Sequence, residues 1–300
     1  MTARTVAIPA LAPGARLAIV APAGPPRPGQ LEQVVPTLEA YGWSARVYPG
    51  CAGPPHLEHL AASDAQRLAD LHAAFADPTV DALLCLRGGW GAQRLLPHVD
   101  AALLRAHPKP LIGFSDITSL HALRDGLGIP GWHGPMAASN LLGAVSAPEA
   151  ERLFALMRRG AGPGLVLAPD LPEHALSQGS LARGRLIGGN LAVFTALCGT
   201  PWALDARDAI LFFEEVDEAP YRVDRLLTQL AQCGVLDAAA GFLVGDFSGG
   251  AYPTAVLADH LCRRGKPVLA GWPSGHCVPN WPLPLGLDVE LDVAARCLRF

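Results

Sequence analysis

Four places in this 300-residue chain carry groups that can do chemistry in concert. In LIGFSDITSLHAL (111–123), Ser115 stands where an apolar run gives way to a helical pattern. A serine on a sharp strand-to-helix turn is held with its hydroxyl exposed, and the first free amides of the helix point at whatever it attacks. Those amides can bind a developing oxyanion. Taken alone, the same position suits a helix cap better, since capping serines far outnumber catalytic ones, with Asp116 complementing the helix dipole. The local pattern is not G-x-S-x-G, so that signature does not decide between nucleophile and cap.

LRGGWGAQRLL (86–96) places Gly88, Gly89 and Gly91 directly after another apolar run. Glycine lets the backbone approach a ligand closely, and a free amide there can be a second oxyanion donor; a plain tight turn is the alternative. The spacing is not the G-x-G-x-x-G of a dinucleotide loop, and GRLIGGN (184–190) fails the same test. A serine nucleophile also needs a base, and the base an orienting acid. Glu214 and Glu215 close the apolar strand AILFFEE (209–215). Alternation puts Ile210, Phe212 and Glu214 on one face and Leu211, Phe213 and Glu215 on the other, so only one acid faces a shared site. For the base, WPSGHCVPNWPLPLG (272–286) holds His276 in a loop after the last apolar strand, where catalytic groups tend to sit. His133 in GWHGPM is the rival, placed to line the pocket instead.

Composition narrows the chemistry. Half of the residues are hydrophobic, ample for a packed core in one large domain or two of ordinary size. Against 27 Asp and Glu stand 23 Lys and Arg, with no basic run, which argues against nucleic acid as a partner. The only lysines are Lys109 and Lys266, so no phosphate-cradling G-x-x-x-x-G-K exists. Seven scattered cysteines form no C-x-x-C pair, and most read as small buried hydrophobes in a reducing compartment. The ten histidines show no metal spacing, HLEH (56–59) included, so neither metal nor cofactor is expected. Pro9 and Pro13 interrupt the apolar N-terminal stretch, which makes a poor secretory signal. No segment supplies the ~20 uninterrupted apolar residues of a membrane span. A cytoplasmic protein is expected.

The elements that must position these groups alternate between periods of two and of 3.6 residues. RLAIVAPAG (16–24), SARVYPG (44–50), VDALLCLRGGWG (80–91) and KPLIGF (109–114) read as strands. Helical patterns lie between them, one opening at Ser63 with Gln66 as a capping box. Such a series implies an open, mostly parallel sheet covered by helices on both faces. Periodicity fails near 157–179, where Gly and Pro accumulate and a linker is expected. Beyond it come AILFFEE, a helix opening at Pro220, the strands GFLVGDF and KPVLAGW, and a closing hairpin LGLDVELDVAARCLRF.

GFSDIT, LRGGWGAQRLLP, GWHGPM, GRLIGGNL, LFFEEVDEAPYRVDRLLTQL and SGHCVPNWPLPLG, in this order over nearly the whole chain, resemble the serine LD-carboxypeptidases. These are muropeptide-trimming peptidases of the bacterial cytoplasm, with microcin-immunity peptidases in the same family. The resemblance implies a flavodoxin-like, mostly parallel α/β domain over 1–160, a linker at 161–183, and a smaller β-rich α/β domain over 184–300. It also implies a homodimer. A Ser-Glu-His triad is implied, carried onto Ser115, Glu214 and His276; the family pattern favours Glu214 over Glu215. The amides of Asp116 and Gly89 become the oxyanion hole, with Gly88 as a substitute for the latter, and Gly88, Arg87, His133 and Glu215 become candidates to touch substrate.

The implied reaction releases a terminal D-amino acid, such as D-alanine from a murein tetrapeptide, through an acyl-enzyme. Arg87, Arg94 or Arg222 could hold the substrate's terminal carboxylate by a bidentate pair. Asp217 departs from the glycine common among muropeptide-processing members, and Asn280 and Trp281 of the histidine loop are left unassigned to positions of the pattern. The alternatives are an immunity-type peptidase cleaving a peptidyl-nucleotide antibiotic and a non-catalytic binder of cell-wall peptides. A nucleotide-dependent enzyme is disfavoured by the failed glycine spacings.

Overall fold

Strands apolar on both faces must be covered on both faces, and the first half of the chain does this with parallel strands and crossover helices. The computed structural model describes residues 7–143 and 147–300; the stretch read for a secretory signal begins outside them. Strands β1 (Arg16–Val20), β2 (Ser44–Val47), β3 (Ala82–Cys85), β4 (Leu111–Ile112) and β5 (Gly131–His133) pair in parallel in the order β2-β1-β3-β4-β5. This is the flavodoxin-like order, in which the winding reverses between β1 and β3. Loops leaving the carboxyl ends of those two strands diverge and open a crevice.

Helices α1 (Leu31–Ala40), α2 (Asp64–Ala76), α3 (Ala101–Ala106) and α4 (Thr118–Gly126) connect these strands, and α5 (Ala147–Arg159) follows them. The capping box at Ser63 forms by half. Ser63 Oγ accepts from the Gln66 amide, while the Gln66 side chain turns away to Asp70.

The second sheet is built from β6 (Val166–Leu167), β7 (Leu181–Asn190), β8 (Ala209–Val216), β9 (Gly241–Ser248) and β10 (Val268–Ala270), together with the closing hairpin. Helices α6 (Leu191–Ala196), α7 (Pro220–Gln232), α8 (Val235–Ala238) and α9 (Thr254–His260) lie between its strands. Two segments not read as strands belong to the first sheet's edge. GWH is β5, and Leu283–Leu285, inside the Pro-rich stretch after His276, is β11, antiparallel to β5 with Leu283 opposite His133. Pro284 lacks an N–H, which an edge strand tolerates and which hides the strand from a sequence reading. The closing hairpin forms from β12 (Asp288–Asp292) and β13 (Cys297–Arg299). In the second sheet β10-β9-β8-β7 are parallel and β7-β12-β13-β6 antiparallel. Val166–Leu167, within the stretch expected as a linker, is thus a sheet edge.

The two faces of β8 pack differently. Ile210 and Phe212 join a core shared with Leu17, Ile19 and Phe154 of the first half. Leu211 and Phe213 pack under α6, α7 and α9, against Phe194, Leu227 and Leu257. Two buried ties fix α4 against β7: the Asn190 amide donates to Thr118 Oγ1 at 3.0 Å, and Arg185 pairs with Asp125 at 2.8 Å. Gly189, at φ +139°, allows the first of these, because a Cβ there would come within 2.4 Å of Thr118 Oγ1.

Candidate active site

Ser115 follows the two-residue strand β4 and adopts φ +61°, a left-handed conformation that is costly for a residue with a Cβ. Its neighbour accommodates it: a Cβ on Gly88 would lie 2.9 Å from Ser115 Cβ and 3.0 Å from Oγ. The hydroxyl does not cap α4, whose N-terminus has no side-chain hydrogen bond, and instead faces His276 Nε2 at 3.2 Å. The cap reading of Ser115 is therefore corrected: the turn aims Oγ away from the helix amides and toward the imidazole.

Asp116 also departs from a simple dipole partner. Its side chain turns inward, fully buried, and Oδ2 accepts from the Ala92 amide at 2.7 Å. Burial lifts its pKa to about 6 against hydrogen bonds from Ala92 and Gly91 and the charge of Arg67. Arg67, itself buried, donates to the Gly91 carbonyl at 2.9 Å and to the Pro22 carbonyl. The glycine loop after β3 is thus gripped from both sides. Among the described residues, neither the Asp116 nor the Gly89 amide donates to a backbone carbonyl, and Gly89 is at φ +102°.

Glu214 shares the face of Phe212, as strand alternation requires. It sits where β8 and β9 lose register between Phe213 and Glu215, an irregularity that re-aims side chains next to active sites. Fully buried, its Oε2 meets His276 Nδ1 at 2.7 Å. Gly275 makes room, since a Cβ there would fall 2.5 Å from Glu214 Cβ. Glu215 points the other way and is satisfied by Asn190 Nδ2 (2.8 Å) and the amides of Ala192 (2.7 Å) and Val216 (2.9 Å). It ties β8 to the start of α6 and does not reach the imidazole. Asp217 stands at φ +58°, so this chain keeps the left-handed turn that a glycine would adopt freely.

His276 packs its ring against Phe114, with centroids 4.8 Å apart. Burial lowers its pKa, but the hydrogen bond and charge of Glu214, with Glu215 and Asp217 adding, raise it overall above 6.5. A proton on Nδ1 shared with Glu214 leaves Nε2 as an acceptor for the serine hydroxyl. The arrangement can take a proton from Ser115 Oγ and stabilise the imidazolium that results.

Ser115 and His276 border a cleft of about 590 Å³ at the carboxyl ends of β1, β3 and β4, with Glu214 buried behind the imidazole. Arg87 lines it, held by a bond from Nη1 to the Pro25 carbonyl at 2.9 Å. The other arginines considered lie elsewhere: Arg94 makes a forked pair with Asp64, and Arg222 lies against Glu218 and Tyr221. Arg27 and Asn140 also line the cleft and were missed from sequence. The position of Arg27 after β1, at the reversal of strand order, was the available signal. His133 is fully buried between Phe114 and Phe212, behind the cleft rather than on its wall. Cys277 lines the cleft, but burial pushes its thiol up to about 12, so it stays protonated.

The family model of the LD-carboxypeptidase N-terminal domain matches residues 17–134, and that of the C-terminal domain residues 183–291. A probable murein peptide carboxypeptidase of Bacillus subtilis is 36% identical over 96% of this chain and 92% of its own length. The crystal structure of a muramoyltetrapeptide carboxypeptidase from Oxalobacter formigenes superposes with a TM-score of 0.82 at 30% identity, covering 94% of this chain and 97% of that one. The structure of MccF in complex with glutamyl sulfamoyl guanosine gives 0.87 at 21% identity, covering 98% of each chain, a likeness of fold.

Proposed function

The chain belongs to the LD-carboxypeptidase family, and from that premise we propose that it is a serine carboxypeptidase releasing a terminal D-amino acid from murein tetrapeptides. Ser115 is the nucleophile, His276 the general base and Glu214 the acid that orients it. One observation carries these roles: the continuous chain from Ser115 Oγ to His276 Nε2 (3.2 Å) and from Nδ1 to Glu214 Oε2 (2.7 Å).

In this reading Ser115 Oγ attacks the carbonyl carbon of the L-residue while His276 Nε2 takes the hydroxyl proton. The amides of Asp116 and Gly89 receive the oxyanion. The tetrahedral species collapses as the imidazolium gives its proton to the leaving amine, and the D-amino acid departs. Water, deprotonated by the same imidazole, then attacks the acyl-enzyme and frees Ser115. Arg87 and Arg27, both on the cleft wall, supply guanidinium groups for the carboxylates of such a peptide.

In this reading the first half of the chain brings the nucleophile and the stretch after 184 brings acid and base, although β6 of the expected linker joins the second sheet and β11 returns to the first. The cleft between them is then where relative motion gates access. The protein acts as a cytoplasmic homodimer, as the resemblance implies; light scattering of the purified chain reads the oligomer. Among the described residues no helix is long and apolar enough to cross a membrane.

The test is incubation with the tetrapeptide L-Ala-γ-D-Glu-meso-diaminopimelate-D-Ala and, separately, with a glutamyl sulfamoyl nucleoside, the products being weighed. Release of D-alanine by the wild type and none by Ser115→Ala is expected. Cleavage of the nucleoside conjugate alone would move the chain to the immunity-type peptidases. Peptide binding without turnover by the wild type would make it a binding protein.

A further inference from the structure

The loop that carries His276 is closed on itself and then pinned from the other half of the molecule. At its base the Trp281 amide donates to the Pro273 carbonyl at 2.6 Å, and Ser274 Oγ donates to the Trp281 carbonyl at 2.7 Å. Within it, the Gly275 amide donates to Asn280 Oδ1 at 3.0 Å. Asn280 is fully buried, and the residue it holds immediately precedes the imidazole. The backbone amide of Asn280 in turn donates to Glu149 Oε1 at 2.6 Å. Glu149 stands in the first turn of α5 and is 3% exposed. Arg152, three residues on along α5, lies over the Trp281 ring at 3.4 Å from its centroid.

A glutamate in the first turn of a helix complements the dipole without being buried. Here the carboxylate gives up water, and burial raises its pKa against the Asn280 hydrogen bond, so its placement has a cost that a dipole partner on the surface would not incur. What the burial accomplishes is a link between α5 and the base-bearing loop. Apart from it, the His276 backbone is held from β9, where Ser248 Oγ donates to the His276 carbonyl at 2.8 Å. That bond registers the imidazole to its acid, since β9 neighbours β8. Glu149 registers the loop to the half of the chain that presents Ser115. At 3.2 Å, the Ser115 to His276 contact is at the long end of hydrogen-bond reach, and a small swing of the loop breaks it.

We propose that Glu149 is a positioning residue for His276, acting through Asn280 to hold the Gly275–His276 turn over the nucleophile. The proposal rests on the reading of Ser115 and His276 as nucleophile and base. It also gives a part to Asn280 and Trp281 of the histidine loop. Asn280 transmits the anchor to the turn, and Trp281 is the surface that α5 clamps.

The experiment compares Glu149→Ala, Glu149→Gln and Asn280→Ala with the wild type and with Ser115→Ala. It measures kcat and KM for D-alanine release, the rate at which a fluorophosphonate labels Ser115, and the melting temperature. Glu149→Ala and Asn280→Ala are expected to lose about tenfold to a hundredfold in kcat and in labelling rate with KM little changed, the loss that a misplacement of ~1 Å brings. Glu149→Gln, whose amide oxygen still accepts from Asn280, is expected to recover most of both rates. Wild-type kcat in a folded Glu149→Ala protein overturns the proposal, as does a loss in Glu149→Gln equal to that of Ala. If neither Ala variant folds, Glu149 is a stability residue and the proposal is equally overturned. Turnover by Ser115→Ala would instead sink the reading of the site itself, a distinct outcome.

Discussion

At the scale of the residue, the site is a matter of which atoms the backbone leaves free. Ser115 at φ +61° does not cap α4 and faces His276, and among the described residues Glu214 has a single hydrogen-bonded partner in the imidazole. A base must be unprotonated to act, so kcat/KM should rise with pH through the His276 pKa. The bond and charge of Glu214 outweigh burial, and that midpoint should lie above 6.5. Replacing Glu214 by Gln removes the charge, which shifts the rising limb to lower pH and cuts kcat by about 10³–10⁴-fold through the wrong tautomer. A pH–rate series on both proteins checks this, and an unmoved limb in Glu214→Gln would show that Glu214 does not set the base. Locally, Ser115 suited a cap, Glu214 a solvated strand end and His276 an ordinary loop; only the six blocks together, through the family they resemble, pointed to these three as a set. Arg27 was not legible, because nothing local distinguishes an arginine in a Pro-rich loop from a solvated one. His133 was misplaced for the converse reason: its neighbours in the chain gave no sign that Phe114 and Phe212 would enclose it.

At the scale of the element, the loop after β3 and the turn after β4 are locked together by buried charge. Asp116 has a folded pKa of about 6 against an ordinary 3.8, so burial favours its neutral form. The stability it confers is complete below 3.8 and declines as pH rises through about 6. Asp116→Asn keeps an acceptor for the Ala92 amide without that penalty. Its stability relative to the wild type should therefore grow by on the order of 2–3 kcal/mol from pH 4 to pH 7. Urea melts at the two pH values measure the difference, and a constant offset would mean that Asp116 is not the titrating group. The parallel strands were readable from apolar runs ending in glycine. Strands β5 and β11 were not, being short and Pro- or Gly-bearing, with their pairing supplied by chain 150 residues apart: Leu283 opposite His133.

At the scale of the whole molecule, the site exists only while two sheets hold one relative position. Arg185 and Asp125, with side chains 13% and 9% exposed, are one of the ties that keep it. Arg185→Ala leaves a carboxylate facing the sheet interface, and a loss of about 2–4 kcal/mol in unfolding free energy is expected. A change under about 0.5 kcal/mol in a denaturant melt would place the tie among surface pairs of little worth. By itself the sequence determined the series of parallel strands alternating with helices and which faces of β8 carry Glu214 and Glu215, because period and turn chemistry act over a few residues; the flavodoxin-like expectation came with the family resemblance. Only the tertiary structure decided that Ser115 Oγ meets an imidazole 161 positions away, that Arg87 and Arg27 share the cleft while Arg94 turns to Asp64, and that Glu149 reaches the histidine loop. Those are distances of a few ångströms between segments remote in the chain, and they are set by how two sheets pack, which no local pattern encodes.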